Sequence, residues 1–391
     1  MRNNINHLDY FNLESNLDPD TLLVRDAVRD WVDKAVRPNL EKVAESKKVP
    51  DNWFKEMAEL GCFGPSLSEE HGGLGMSDLA YGLIMQELER GDSGVRSMAS
   101  VQGALVMYPI SIFGSPEQQS KYLKKLSLGN TIGCFGLTEP NHGSNPGGME
   151  TSLVKDGANY KLNGTKMWIT NAPVADISII WAKDTEGKVY GIILELSKKG
   201  VSVETIENKW SMRTSLTGTI YLDDVIIEPG EILPGARGLK AALKCLNKAR
   251  YGIAWGVIGA AQDCYETARK YALERTQFGK PLAAFQLVQK KLAEMLTKIT
   301  QAQALVFQLG YLSDSGLVTN GQISMAKRAN VEMALDVARI SRQILGAMGI
   351  TQDYPIMRHI MNLETVITYE GTHDIHLLVT GQEITGISAF T

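Results

Sequence analysis

Hydrophobic positions in the first third of the chain recur at helical spacing. Asp18-Pro19-Asp20 offers an N-cap with proline at the first helical position, and Val24, Ala27, Val28, Trp31, Val32 and Ala35 then share one stripe as far as Pro38. A second helix is predicted over about 51–60, stopped by Gly61, and a third from Asp78 to Arg90 with Leu79, Leu83, Ile84 and Leu88 as its buried stripe. The stretch 69–75 between them is a loop, and its Gly73-Leu74-Gly75 lacks the third glycine and the preceding strand of a dinucleotide-binding turn.

Between positions 132 and 227 the period changes. Short β-rich pieces fall at 134–137, 160–162, 166–170, 177–182, 189–196, 201–206 and 218–225, separated by turn signals such as Asn163-Gly164 and Lys199-Gly200. Six or seven short strands in about a hundred residues predict a small sandwich or barrel. Pro229-Gly230 and Pro234-Gly235 then read as a linker. From Gly238 the helical period returns over 254–275, 284–311, 323–345 and 375–386, which predicts an up-down four-helix bundle. The fold class expected is multidomain α+β: an N-terminal all-α domain (1–131), a middle β-barrel or sandwich domain (132–236) and a C-terminal helix bundle (237–391).

Composition narrows the class of partner. The 391 residues are 44% hydrophobic and 21% charged with a net charge of -4, which describes an ordinary globular protein and argues against nucleic acid or an anionic membrane as main partner. Cys62, Cys134, Cys245 and Cys264 form no C-x-x-C pair, and no histidine stands at metal-ligand spacing, so reduced core thiols and no metal are expected. The N-terminus lacks an apolar leader core, and no run is long enough to span a bilayer. A cytoplasmic protein is expected; a mitochondrial-matrix enzyme with its leader removed reads the same.

The candidate chemistry lies near the end, at 365–376. Glu370 follows the apolar-rich, β-branched 366–369, where a carboxylate is partly desolvated and its basicity raised; Gly371 allows close approach of a ligand; Thr372 with Asp374 reads as an N-cap and first-turn acid whose amides could hold an anion or a carbonyl. A solvated glutamate at a surface helix start fits the same residues.

Five segments in order resemble acyl-CoA dehydrogenases: 135–145 (FGLTEPNHGSN), 167–171 (MWITN), 275–279 (RTQFG), 343–349 (QILGAMG) and 369–372 (YEGT). The segments 87–97, 245–256 and 358–376 resemble the glutaryl-CoA dehydrogenase branch of that family. The resemblance implies oxidation of glutaryl-CoA at its α and β carbons with FAD, loss of CO2 to give crotonyl-CoA, electron-transferring flavoprotein as acceptor, and a homotetramer built as a dimer of dimers. It further implies Glu370 as the catalytic base, with Tyr369 excluding water and Gly371 near the thioester. Phe135, Leu137, Thr138, Gly143, Ser144, Trp168, Ile169 and Thr170 would line the flavin, with Thr372, His373, Asp374 and Phe390 also on the cofactor and Ser144 also near substrate. Arg275, Gln277, Phe278, Gln286, Gln343, Leu345, Gly346 and Ala347 would reach the FAD of a partner subunit. Arg96 and Ser97 would receive the second carboxylate, with Glu89 beside the arginine tuning its charge, and Leu243, Leu246, Asn247 and Arg250 would flank the thioester end of the CoA path.

Plain structural readings stand beside these: Trp168 as a core aromatic, Arg275 as a cation at a helix C-terminus, Arg250 in an interdomain salt bridge, and Glu89 with Arg96 as a surface pair, since Gly91 and Gly94 interrupt the helix that would align them. Departures from the family pattern are Asn145 for Asp, Ala347 for Gly with Met348 after it, and His142 inside the flavin loop. Competing functions are a dehydrogenase stopping at glutaconyl-CoA, a short-chain acyl-CoA dehydrogenase, and a non-catalytic binding protein on the same scaffold. A hydrolase using Ser144, His373 and Asp374 is disfavoured, because adjacent helical residues diverge by ~100° and no G-x-S-x-G is present.

Overall fold

The computed structural model describes residues 8–390; residues 1–7, which include most of the stretch read for a leader, and residue 391 lie outside the described residues. The helix Pro19–Trp31 starts as expected, with Asp18 Oδ1 accepting the Thr21 N–H at 2.8 Å. Its buried side is Thr21, Arg25 and Val28, continued by Val32 and Val36 through a π turn. That side lies one position round from the predicted stripe at its start, because Arg25 is drawn inward by Glu14 at 2.6 Å.

The helix Asp78–Gly91 departs further from prediction. Every residue from Leu79 to Gly91 is buried, not one stripe. The polar residues are tolerated because they are paired inside: Glu87 receives Arg29 at 2.6 Å and Arg90 at 2.9 Å. The helix stops at Asp92, whose extended backbone (φ -163°) makes it the N-cap of a second helix, Ser93–Ser100.

The middle of the chain forms eight strands: β1 (Gly133–Gly136), β2 (Ser152–Asp156), β3 (Asn159–Thr170), β4 (Ile177–Lys183), β5 (Val189–Glu195), β6 (Val201–Thr205), β7 (Thr217–Ile227) and β8 (Ile232–Arg237). They run in the order β6-β7-β3-β2-β4-β5-β8, with β1 parallel to β4. Cys134, Ile180, Ile192 and Leu194 from one side close on Leu162, Ile169, Ile220 and Val225 from the other, in a core separate from that of the helices. Three expectations change here. Asn163-Gly164 is not a turn but a register shift inside β3, which joins the two strands predicted at 160–162 and 166–170. The exposed, charged β2 carried too little apolar pattern to be seen. The supposed linker after Pro229 holds β8, paired to β5; its Pro234 and Gly235 sit at an edge, where a missing N–H costs no ladder bond.

The described C-terminal residues form five helices, Leu239–Glu274, Gln286–Asp314, Asn320–Leu345, Ile356–Val366 and His373–Thr385, with a small hairpin (Thr276–Gln277, Lys280–Pro281) after the first. Four were expected. The fifth, Ile356–Val366, absorbs the start of the run read as β-branched, and residues 367–370 continue it as turns. N-terminal and C-terminal helices share one large core. The β domain is fastened to it by the Gly133 N–H on Gln102 Oε1 (2.8 Å) and by Asn171 Nδ2 on the Met98 carbonyl (3.3 Å). Among the described residues no helix is long and apolar enough to cross a membrane.

Candidate active site

The turn after Ile356–Val366 is the centre of the site. Glu370 has φ 53°, a left-handed conformation rare outside glycine, and Gly371 follows at φ 102°. Glu370 Oε2 is buried with no hydrogen-bond partner. Burial therefore holds this carboxyl above its usual range, while Arg96, Arg250 and Lys327 pull the other way. The solvated surface glutamate is excluded, and the desolvated carboxylate stands.

Around the turn, cations are aimed at backbone rather than at the carboxylate. Arg250 Nε, on Leu239–Glu274, donates to the Glu370 carbonyl at 2.7 Å, and its Nη1 donates to Asn247 Oδ1 at 3.0 Å. Lys327, fully buried on Asn320–Leu345, donates to the carbonyls of Val366 (2.8 Å), Gly371 (2.9 Å) and Tyr369 (3.2 Å). His376 is fully buried without a partner on either ring nitrogen, and burial pushes it down to about 2, so it is neutral. Sequence reasoning overlooked Lys327. Its signal was present: Lys327 falls on the apolar stripe Ile323, Ala326, Val331 and Ala334, where a solvated lysine does not belong.

The Tyr369 hydroxyl accepts from Arg96 Nη2, and Arg96 Nε donates to Glu89 Oε2 at 2.8 Å. Both side chains of this pair are fully buried, so it is no surface pair. The helix does break between them, as the glycines suggested, yet the pair forms. Asp92 at the break accepts from the Gly94 N–H (2.7 Å), from Thr214 of the β domain and from Asn362 Nδ2 (2.8 Å) of the C-terminal helices, which fixes the angle between the two helices. Gly256 backs the pair; a Cβ there would overlap Glu89 Oε2 and crowd Arg96. Arg96 Nη1 and Glu89 Oε1 remain buried and unpaired. Ser97 is buried one residue on, and Leu243, Leu246 and Asn247 lie half-buried on the face of the long helix leading to Arg250.

A second set lies on the β domain. The Met167 N–H donates to the Thr138 carbonyl at 2.9 Å, which ties the loop after β1 to a bulge in β3. In that bulge Trp168 takes φ 64° and stays 55% exposed, so it is not a core aromatic. Thr138 and Thr170 are half-buried, whereas Phe135, Leu137 and Ile169 point into the cores, Phe135 against Trp181 at 6.0 Å, and leave only backbone toward a ligand. Gly143 and Ser144 are exposed. The loop is anchored from beneath by Glu139, which accepts from Lys166 (2.7 Å), from the Thr151 N–H (2.9 Å) and from the Glu150 N–H (2.5 Å). Burial and the Glu150 N–H act against each other first, and the donors together hold Glu139 down to about 2.

Glu139→Gln should strand the buried Lys166 ammonium and cost about 3 kcal/mol of stability, read as a lower urea midpoint. The folded pKa lies below the ordinary 4.5, so the contribution of Glu139 is complete above pH 4.5 and is lost as pH falls toward 2. The gap between variant and wild type should close through that window.

The remaining candidates lie elsewhere in the chain. Arg275 caps the long helix, and it, Gln277, Phe278 (93% exposed) and Gln286 are solvent-facing, as are Gln343, Gly346 and Ala347, while Leu345 is buried. Thr372 caps His373–Thr385 by accepting the Ile375 N–H at 3.3 Å; His373 is half-buried beside it, and Asp374 and Phe390 are exposed.

Family models describing the N-terminal, middle and C-terminal domains of acyl-CoA dehydrogenases match residues 18–130, 134–225 and 236–385. The chain is 35% identical over 381 residues to a short-chain specific acyl-CoA dehydrogenase of Clostridium acetobutylicum, covering 95% of this chain and 100% of that one. Its structure is similar to that of glutaryl-CoA dehydrogenase from Mycobacterium smegmatis (TM-score 0.96, 44% identity, 98% of this chain and 99% of the other). It is equally similar to a glutaryl-CoA dehydrogenase of that organism in complex with FADH2 (TM-score 0.96, 43% identity, 98% and 99%). Matched in all three parts and over nearly its whole length, the chain belongs to the acyl-CoA dehydrogenase family of FAD-binding oxidoreductases.

Proposed function

We propose that the protein oxidises glutaryl-CoA and decarboxylates the product to crotonyl-CoA. The observation that carries this reading is the Arg96 guanidinium, wholly buried, with Nε on Glu89, Nη2 on Tyr369 and Nη1 left without a partner. A buried donor of that kind fits an acyl chain ending in a carboxylate, and a butyryl chain would leave it unmet. Glu370 removes the α-proton of the bound thioester, helped by the desolvation that strengthens it as a base. Its own backbone N–H makes no backbone hydrogen bond and is free to steady the thioester oxygen as negative charge develops, while Arg250 holds the carbonyl of the next peptide.

FAD, when bound, accepts the hydride that leaves the β-carbon. The residues fit this cofactor on one structural point: the Trp168 indole, held outward by a left-handed backbone, has an open face beside half-buried Thr138 and Thr170. Phe135 and Leu137 through their backbone, with Gly143, Ser144, Ile169, Thr372, His373, Asp374 and Phe390, complete the proposed set. When CO2 departs, the pair of the broken C–C bond passes into the enoyl thioester, and Glu370, now protonated, returns its proton to the γ-carbon.

The domain limits we assign are 1–131, 132–236 and 237–391, the electron acceptor is electron-transferring flavoprotein, and the assembly is a homotetramer. Support for the assembly is the exposure of Phe278, Leu287 (73%) and Ile350 (64%) near Arg275, Gln277, Gln286, Gln343 and Ala347 in the chain. Mixing the purified flavoprotein anaerobically with glutaryl-CoA should bleach the flavin and yield crotonyl-CoA with CO2. Glutaconyl-CoA as the end product would remove the decarboxylation step, and bleaching by butyryl-CoA alone would overturn the substrate.

A further inference from the structure

A glutamate held at positive φ costs about 1–3 kcal/mol and persists only where its surroundings enforce it. At this turn the enforcement is visible. The carbonyls of Val366, Tyr369 and Gly371 all accept from Lys327 Nζ, and the carbonyl of Glu370 accepts from Arg250. An ammonium has three N–H donors and no acceptor, and three carbonyls surround this one. A neutral amine has two, so deprotonation leaves one carbonyl buried without a donor, which costs roughly 1–3 kcal/mol in any buried site.

We propose that Lys327, as its ammonium, is the positioning residue that holds the Tyr369-Glu370-Gly371 turn in the geometry from which Glu370 takes the substrate proton, and that loss of the Lys327 proton sets the alkaline limit of the reaction. The proposal rests on Glu370 being the base. The Lys327 ammonium hydrogen-bonds only to backbone carbonyls and otherwise lies over the Tyr369 ring at 6.0 Å, so it acts through the turn that carries Glu370 and not on substrate.

The charged and titratable groups facing Lys327 are Glu370 and Tyr369 on the turn, Arg250 on the long helix, Arg96 with its partner Glu89 on the N-terminal helices, and His373 and His376 on the last helix, where Arg328 and Glu332 face His373. Burial pushes Lys327 down to about 7, Glu370 opposes this, and Arg250 and Arg96 add to it. The imidazole of His376 is neutral, and Glu89 offsets Arg96. The folded-state value lies below the ordinary 10.5, so the ammonium is present below about pH 7 and lost above it.

The test is Lys327→Met in the FAD-loaded protein, with flavin reduction by glutaryl-CoA followed against pH. Wild-type rate should fall as pH rises through about 7. The variant should be slower by about 10²-fold, should lose that alkaline limb, and should show its acid limb moved upward, because a cation near Glu370 is gone. A purely structural lysine would lower the rate by the same factor at every pH. An unchanged alkaline limb, or a wild-type rate, overturns the proposal. Amide exchange across residues 366–373 without substrate gives a second reading. Faster exchange in the variant at equal global stability supports the proposal, and equal protection overturns it. If Lys327→Met does not accumulate folded, Lys327→Gln, with two donors in place of three, should give the same flat alkaline profile. A wild type that ignores glutaryl-CoA overturns the functional reading alone, since the exchange measurement still decides on Lys327.

Discussion

Glu370→Gln should bind FAD and glutaryl-CoA as wild type does and reduce its flavin about 10²- to 10⁴-fold more slowly, the amount a positioned base contributes. The substitution keeps the shape of the side chain and removes only its capacity to take a proton. The turn should survive, because its restraints reach backbone carbonyls and not the carboxylate: Arg250 on Glu370, Lys327 on Val366, Tyr369 and Gly371. Even the buried, unpartnered Oε2 becomes cheaper to keep once the group is neutral. Rapid mixing with glutaryl-CoA under anaerobic conditions, read by loss of flavin absorbance, measures it. Reduction at near wild-type rate would remove Glu370 from the role of base.

Arg96→Met should cost about 10²- to 10³-fold in kcat/KM for glutaryl-CoA, in line with 2–5 kcal/mol for truncating one member of a buried charge pair. It should also destabilise the free protein, since Glu89 would remain buried with neither oxygen paired. The double variant Arg96→Met, Glu89→Gln separates the two effects. Stability should return in large part, activity on glutaryl-CoA should not, and the ratio of kcat/KM for butyryl-CoA to that for glutaryl-CoA should rise well above the wild-type value. If that ratio does not move, Arg96 does not read the far end of the acyl chain.

The parts of this molecule that were legible beforehand are those whose cause is local. Asp18 and Thr372 accept from amides at the starts of their helices, as the capping pattern requires. The β-rich pieces read at 177–182 and 218–225 became the strands Ile177–Lys183 and Thr217–Ile227. The failures have a non-local cause. β8 exists because β5 offers an edge, and nothing within its own Pro-Gly-rich residues announces a partner. The helix Ile356–Val366 went unread because it ends in the β-branched run 366–369, which Lys327 and the packing of that helix make its last residue and the turns after it. For the site, Glu370 could be picked out from its apolar surroundings and Arg96 and Tyr369 from the resemblance of their segments, but their meeting depends on the break at Asp92, which is set by residues 122 and 270 positions further on. Lys327 was visible only as an anomaly in an apolar stripe, and a stripe does not say what the anomaly bonds to.

The absence of a side chain at Gly256 bears on how this pocket could change over generations. Because the long helix lies flush against the Glu89–Arg96 pair there, any single step away from glycine displaces a charged pair that has no room to retreat. The same pair cannot be dismantled one member at a time without stranding a charge. A lineage moving toward uncharged acyl chains would therefore have to cross a valley of poorly folded intermediates, or first acquire stability elsewhere, before position 256 became free to vary. Libraries meant to retarget the pocket should accordingly randomise 89, 96 and 256 together, and single-site scans should return mostly inactive protein at all three.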